Sequence, residues 1–297
     1  MKLFLVVCCT LVGLNSSACL NYYLIDERGH DHAYDGGGDP THIYLNFEIA
    51  KQLYETQQAV LHAKENRFFL IADYAALLIK AGCSEEAVPI LHRLLKDHPS
   101  EYNLYANLAV AYELTGQPDT ALVYLNRSMK LNPSSHQNSE WVHQRILEYV
   151  AGQRGNDKDF SAGEILKITD STNEKLAGQL AYQLNERVPL TPAPNELLSR
   201  VIEETGDFYR KNMSLEWALK FYAISVAYAS DGAREQELLR KVNVLMPKLF
   251  ELHKKDNVRL LVFSKDKWQQ QFNAVIGQWK NYRPYEYAGP LMEIPCQ

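Results

Sequence analysis

Six side chains able to bind a metal ion crowd one short stretch: His30, Asp31, His32, Asp35, Asp39 and His42. Imidazoles and carboxylates in that mix ligate zinc and other divalent cations. Their spacing matches no established metal motif. The run Gly36-Gly37-Gly38 beside Pro40 favours a loop over a preorganised cage. Residues 19–43 are therefore expected to form an irregular, solvent-exposed tether, with a metal or small-ligand site at His30–His42 as the alternative. No metal ligand and no cofactor is assigned.

Other reactive templates fail in turn. The chain has no Gly-x-Ser-x-Gly, His-Glu-x-x-His or Cys-x-x-Cys, and no Lys-Ser/Thr follows the glycine run to hold phosphate. Without catalytic chemistry the expectation is a binding protein, not an enzyme. Net charge is −5 and no Lys/Arg stripe runs along the chain, which argues against nucleic acid as the partner.

The first residues belong to targeting. Lys2, the apolar run Leu3–Leu14 and the small residues up to Ala18 make a secretory signal peptide over 1–18. That run is shorter than the roughly 20 residues a membrane span needs. Cys8 and Cys9 lie inside it. Of the rest, Cys83 and Cys296 are too few and too distant for a disulfide framework, and Cys83 sits in a turn as a small packed residue.

Helical periodicity dominates the remainder of the chain. Apolar positions recur at helical spacing over about 45–64, 139–149, 174–187, 233–255 and 266–281. Pro189-Leu190-Thr191-Pro192-Ala193-Pro194 interrupts the pattern. The tail Tyr282-Arg283-Pro284-Tyr285-Glu286-Tyr287 is extended, and either packs along the molecule or docks on a partner.

Between these lies a repeat. Gly82 and Gly116, Ala87 and Ala121, Leu91 and Leu125, and Pro99 and Pro133 each stand 34 residues apart. A period of that length belongs to helix–turn–helix units that stack into a solenoid. Short residues at Ala75 and Ala87, and at Ala109 and Ala121, let the two helices of a pair approach closely. Asp119, just after Pro118, is a candidate helix cap. A third, degenerate unit starts at Ser199, with Gly206, Tyr209, Ala218 and Tyr222 in place but Met213 and Ser230 where the turn Gly and closing Pro would be.

This pattern resembles the tetratricopeptide repeat family. The resemblance implies an all-α fold, a short α-α superhelical solenoid of helix pairs. Its helical repeats cover 44–150, degenerate helices with a capping helix cover 151–255, and a C-terminal helix and tail cover 256–297. It also implies that a protein or peptide lies against the first helix of each pair. The matching positions are Phe69 and Lys80, then Asn103, Asn107 and Glu113, then Arg200, Glu203, Asp207 and Arg210. Asn107 stands where such repeats hold a ligand's backbone. The Lys, Asn and Arg set that clamps a C-terminal carboxylate is missing.

Ala18-Cys19 also resembles a bacterial lipoprotein signal, in which Cys19 would carry the acyl chains, although Ser16 stands where an aliphatic residue is usual. With Leu180–Arg187, it makes the chain similar to tetratricopeptide lipoproteins of Bacteroidetes-type bacteria, of no established activity. That likeness implies export to the bacterial envelope and membrane attachment through lipid. Simple secretion is the alternative, including a eukaryotic one suggested by the sequons at Asn126 and Asn212.

Overall fold

A computed structural model of the protein describes residues 22–34, 41, 43, 48–64, 67–153, 160, 163–168, 174–255 and 265–291. Two strands, β1 (Tyr22–Ile25) and β2 (Asp31–Tyr34), pair antiparallel with Tyr22 opposite Tyr34 and Ile25 opposite Asp31. The irregular segment expected here is instead a hairpin. Its loop is organised by Asp26, whose carboxylate accepts the backbone N–H groups of Arg28 and His30 at 2.8 and 2.9 Å. Such a side-chain turn, set between runs of strand-forming residues, closes a hairpin that glycine counting does not reveal.

The helices follow in pairs. They are α1 (Ile49–His62), α2 (Arg67–Lys80) and α3 (Ser84–Asp97), then α4 (Tyr102–Leu114) and α5 (Pro118–Leu131). A one-turn segment α6 (Ser135–Asn138) leads into α7 (Glu140–Gly152) and α8 (Glu174–Arg187). The chain ends with α9 (Glu196–Asn212), α10 (Leu215–Tyr228), α11 (Gly232–Lys255) and α12 (Lys265–Asn281). The fold is an all-α solenoid of stacked helix pairs carrying a small N-terminal hairpin. Most of the described helices pack on a chain neighbour, while α5 packs on α7 and α12 on α10; α2 also touches α4, so the first helices of consecutive pairs line one face.

The repeat is visible bond by bond. Gly82 and Gly116 share a φ of 77°. Gly82 N–H donates to Ile79 O and Cys83 N–H to Leu78 O. Gly116 N–H donates to Glu113 O and Gln117 N–H to Tyr112 O. These are two copies of one helix-terminating motif, and the left-handed backbone is why both positions are glycine. A second signature ties the third pair to the second. Ser128 Oγ donates to Tyr102 O at 3.1 Å, and Ser225 Oγ donates to Ser199 O at 2.7 Å, each across 26 residues. The third pair keeps the register although it has lost the turn glycine. Its helices are capped by Asn195, accepting Leu198 N–H, and Ser214, accepting Trp217 N–H. Asp119, in contrast, is not a cap. Gln117 holds that place, Pro118 opens α5, and Asp119 sits in the first turn, where its charge complements the helix dipole.

Burial divides the solenoid in two. Leu53, Tyr74, Leu78, Leu91, Leu104 and Leu108 form an N-terminal core. A larger core takes Ile43 from ahead of α1 and Val142 and Ile146 of α7, and centres on α10, buried on nearly every side between α9, α11 and α12. Ala109, Ala121, Leu125 and Leu147 join them. Helix α10 thus takes cover from both α11 and α12, the latter through Trp268, Phe272 and Trp279. The tail then doubles back. Tyr282 Oη donates to Pro189 O at 2.8 Å, Tyr287 N–H donates to Ala81 O at 3.1 Å, and Tyr285, Tyr287 and Leu291 pack on the N-terminal core. Of the two roles open to this tail, the structure gives it the first: it straps both ends of the array.

Candidate binding groove

Three cavities have Leu114 and Leu190 in common in their walls and together mark out a groove. The middle one, about 140 Å³, lies between α2, α4, α7 and α8. Ala76, Ile79, Ala106, Val110 and Leu114 give it an apolar wall, because the helix period brings positions three and four apart onto one face. One end runs over the α2–α3 turn to the tail, past Glu85, Glu86, Arg283 and Glu286. The other passes Pro118, Ile146, Leu147 and Pro192 toward α9. The segment after α8 forms the opposite rim. Tyr228 Oη fixes it by donating to Thr191 O at 2.9 Å, with Tyr282 bonded at Pro189.

The polar wall of the middle cavity is a chain of alternating acids and bases. Arg187 donates through both terminal nitrogens to Glu113, and His143 Nε2 donates to Glu113 Oε2 at 2.7 Å. Glu140 in turn accepts from His136 Nδ1 at 2.6 Å and lies 3.7 Å from His143 Nδ1. Burial alone would push the Glu113 carboxyl up, but Arg187 and His143 overcome it and hold it well below the ordinary range. Glu140, likewise raised by burial, is brought down to about 2 by its hydrogen bond from His136 and by the neighbouring His143. Burial disfavours charge on His143, yet Glu113 and Glu140 raise its pKa. For His136 the hydrogen bond to Glu140 is the largest effect, and its pKa also rises.

His136 reaches this chain from an unusual backbone. His136, Gln137 and Asn138 have φ of 48°, 57° and 62°, three successive non-glycine residues in the left-handed region. That conformation costs roughly 1–2 kcal/mol per residue. Bonds from Gln179 Nε2 to Gln137 O at 3.4 Å and from Gln183 Nε2 to Ser139 Oγ at 3.0 Å lash the turn to α8.

The residues expected along the groove fall into two sets. Lys80, Asn107 and Glu113 line the middle cavity. Phe69 is 61% exposed, edge-on to Phe68, and Asn103 is exposed; neither lines any of the three cavities. Arg200, Glu203, Asp207 and Arg210 are engaged inside the molecule. Arg200 donates to Glu196 at 2.7 Å. Glu203 takes Arg234 and Lys241 of α11, Asp207 takes Tyr222 Oη and Lys241, and Arg210 pairs with Glu27 of the hairpin. The matching face of α9 is covered by α11 and the hairpin, so the groove turns away along α7.

Residues that the repeat pattern did not single out complete the wall: His136, Glu140, His143, Gln183, Arg187 and Leu190. One signal was present. Glu140 and His143 stand on the same helical stripe as Ile146 and Leu147, titratable groups at buried positions. Elsewhere, His30 bonds to Asp26 at 3.2 Å with its side chain 66% exposed. Asp31 and His32 are in β2, while Asp35, Asp39, His42, Cys19 and Cys296 lie outside the described residues. Among the described residues no cluster of three or more His, Cys, Asp or Glu is placed to hold a metal ion. Cys83 is half-buried, and burial followed by nearby Glu86 pushes its thiol pKa up.

A family model described as Bacterial transcriptional activator domain matches residues 47–132. The stretch spans α1 to α5, under a third of the chain, so the similarity is to a helical, repeat-like domain. No curated protein and no solved structure matches the chain.

Proposed function

We propose that the protein is a non-catalytic scaffold of the bacterial cell envelope, related to tetratricopeptide lipoproteins, that holds a polypeptide in the groove. The adjacency of the three cavities, each walled in part by Leu114 and Leu190, carries this reading, since an extended segment can lie across them over an apolar centre. Leu114 keeps 41% of its surface exposed, an anchor point open to a partner. Nucleic acid is not the partner of this groove. Seven carboxylates line it against three permanent cations, and phosphate would be repelled. In this reading the likeness to a transcriptional activator domain over residues 47–132 is one of helix pairing.

In this reading residues 1–18 direct export and Cys19 carries the lipid. Two measurements test it. In detergent phase partitioning, Cys19→Ser should move the protein from the detergent to the aqueous phase; partitioning equal to wild type removes the anchor. A photo-crosslinker placed at Leu114 in cells should trap a discrete polypeptide adduct that one at exposed Val244 does not. Identical adduct patterns at both positions would remove the groove as the site.

A further inference from the structure

Resting on the reading of this groove as a polypeptide site, we infer that its occupant is an extended segment carrying cationic side chains beside an apolar or aromatic anchor. The charges in the wall are not equally committed. Glu113 is matched by Arg187 and His143, Glu140 by His136, and Glu196 by Arg200 and Arg234. Glu85, Glu86, Glu186 and Glu286 are exposed, and among the described residues none of them forms an ion pair. Among the described residues lining these cavities, the exposed cations are Lys80 and Arg283. The free charge along the path is therefore negative at the tail end and at the rim of the middle cavity, with apolar surface between.

The chain's own tail shows what this surface accepts. From Tyr282, bonded at Pro189, the chain runs to Leu291 without regular structure, and Tyr285 and Tyr287 reach the α2–α3 turn. One backbone bond from Tyr287 to Ala81 holds it, together with the packing of Tyr285 and Tyr287. Arg283 lines the same cavity as Glu85 and Glu86. An extended strand with aromatic anchors, one basic residue (Arg283) and one acidic residue (Glu286), is thus already seated at one end. The preference for cationic partners rests on the free acids Glu85, Glu86 and Glu186 of the helices. The middle cavity of about 140 Å³ is the size of one large side chain and suits an anchor, not a folded domain.

The test uses the purified protein and fluorescent peptides of about a dozen residues. They share one Tyr/Leu pattern and differ only in carrying Lys/Arg, Ser/Gln or Asp/Glu between the anchors. At low ionic strength the cationic peptide should bind about tenfold more tightly than the anionic one, and the preference should collapse near 0.5 M salt, roughly the screening limit for exposed charges. Glu86→Gln with Glu186→Gln should weaken the cationic peptide alone, and Leu114→Ser should weaken all three. Equal binding of the three peptides, all reduced by Leu114→Ser, overturns the charge preference and leaves the groove standing. Binding unmoved by Leu114→Ser, or no binding at all, overturns both. Thermal melts of the variants, all at exposed positions, confirm that each is folded.

Discussion

Arg187, in the last turn of α8, clasps both carboxylate oxygens of Glu113, which lies near the end of α4 seventy-four residues earlier. His143 of α7 holds the same carboxylate, so three helices meet on one anion. A fork of two charge-assisted bonds is stronger and more directional than a single contact. Removing one partner strands the other in a site where Glu113 keeps only 18% exposure. We expect Glu113→Gln and Arg187→Met each to cost about 2 kcal/mol in urea unfolding, the partial exposure placing them below a fully buried pair. The double variant should cost clearly less than the two losses combined. Strict additivity would mean the pair is not coupled.

The same chain of acids and bases sets a pH dependence. His136 and His143 have raised pKa values in the folded state. Their contribution is complete below the unfolded histidine value of about 6.5 and is lost as pH rises through the folded values. Glu113 and Glu140 are depressed, so theirs is present above the ordinary value of 4.5 and lost as pH falls. Stability from this cluster therefore peaks between roughly pH 4.5 and 6.5. Tm of the wild type minus that of His143→Gln, followed across pH, should shrink on the alkaline side. A constant difference from pH 5 to 9 contradicts the assignment.

Legibility in the sequence depended on where the energetics are local. Gly82 and Gly116 announce their turns because the left-handed backbone there favours glycine, and Ala75, Ala87, Ala109 and Ala121 mark crossings for steric reasons. All four alanines are buried with no exposed surface. The fate of Glu203 and Asp207 was not legible. A polar stripe on α9 looks the same whether it faces a ligand or Arg234 and Lys241 of a helix tens of residues later. His136 was hidden for the opposite reason: nothing in Ser-His-Gln-Asn encodes a left-handed turn. It persists through long-range bonds from Gln179 and Gln183.

The third pair demands more of its crossing than the first two. A Cβ at Gly206 would come within 2.8 Å of the Tyr222 ring and 3.3 Å of Phe221 Cβ. Both rings are fully buried, so neither can yield cheaply. Gly206→Ala should therefore destabilise by about 1–3 kcal/mol, although alanine is the better helix former by roughly 1 kcal/mol. At Ala109, the matching position of the second pair, Ala109→Gly should cost about 1 kcal/mol from backbone propensity with a small packing loss. If Gly206→Ala were stabilising in chemical denaturation, the close approach of α9 and α10 would not hold in solution.

The tail strap makes the two cores share a fate. Linear repeat arrays lose cooperativity when a neighbour contact is removed, and local units then open by themselves. Here the N-terminal core receives Tyr285, Tyr287 and Leu291 from the far end of the chain, and Tyr282 pins the route at Pro189. Truncation after Asn281 should strip about 2 kcal/mol or more from the N-terminal pairs, the order expected for uncovering two or three partly buried side chains. Amide exchange should then quicken at Gly82 and Cys83 while α9 and α10 keep their protection, and thermal unfolding should broaden into two steps. Val244→Ser, at a site 72% exposed, serves as the neutral comparison. A truncated chain that melts in one step at the wild-type temperature would show that the tail merely lies on the surface.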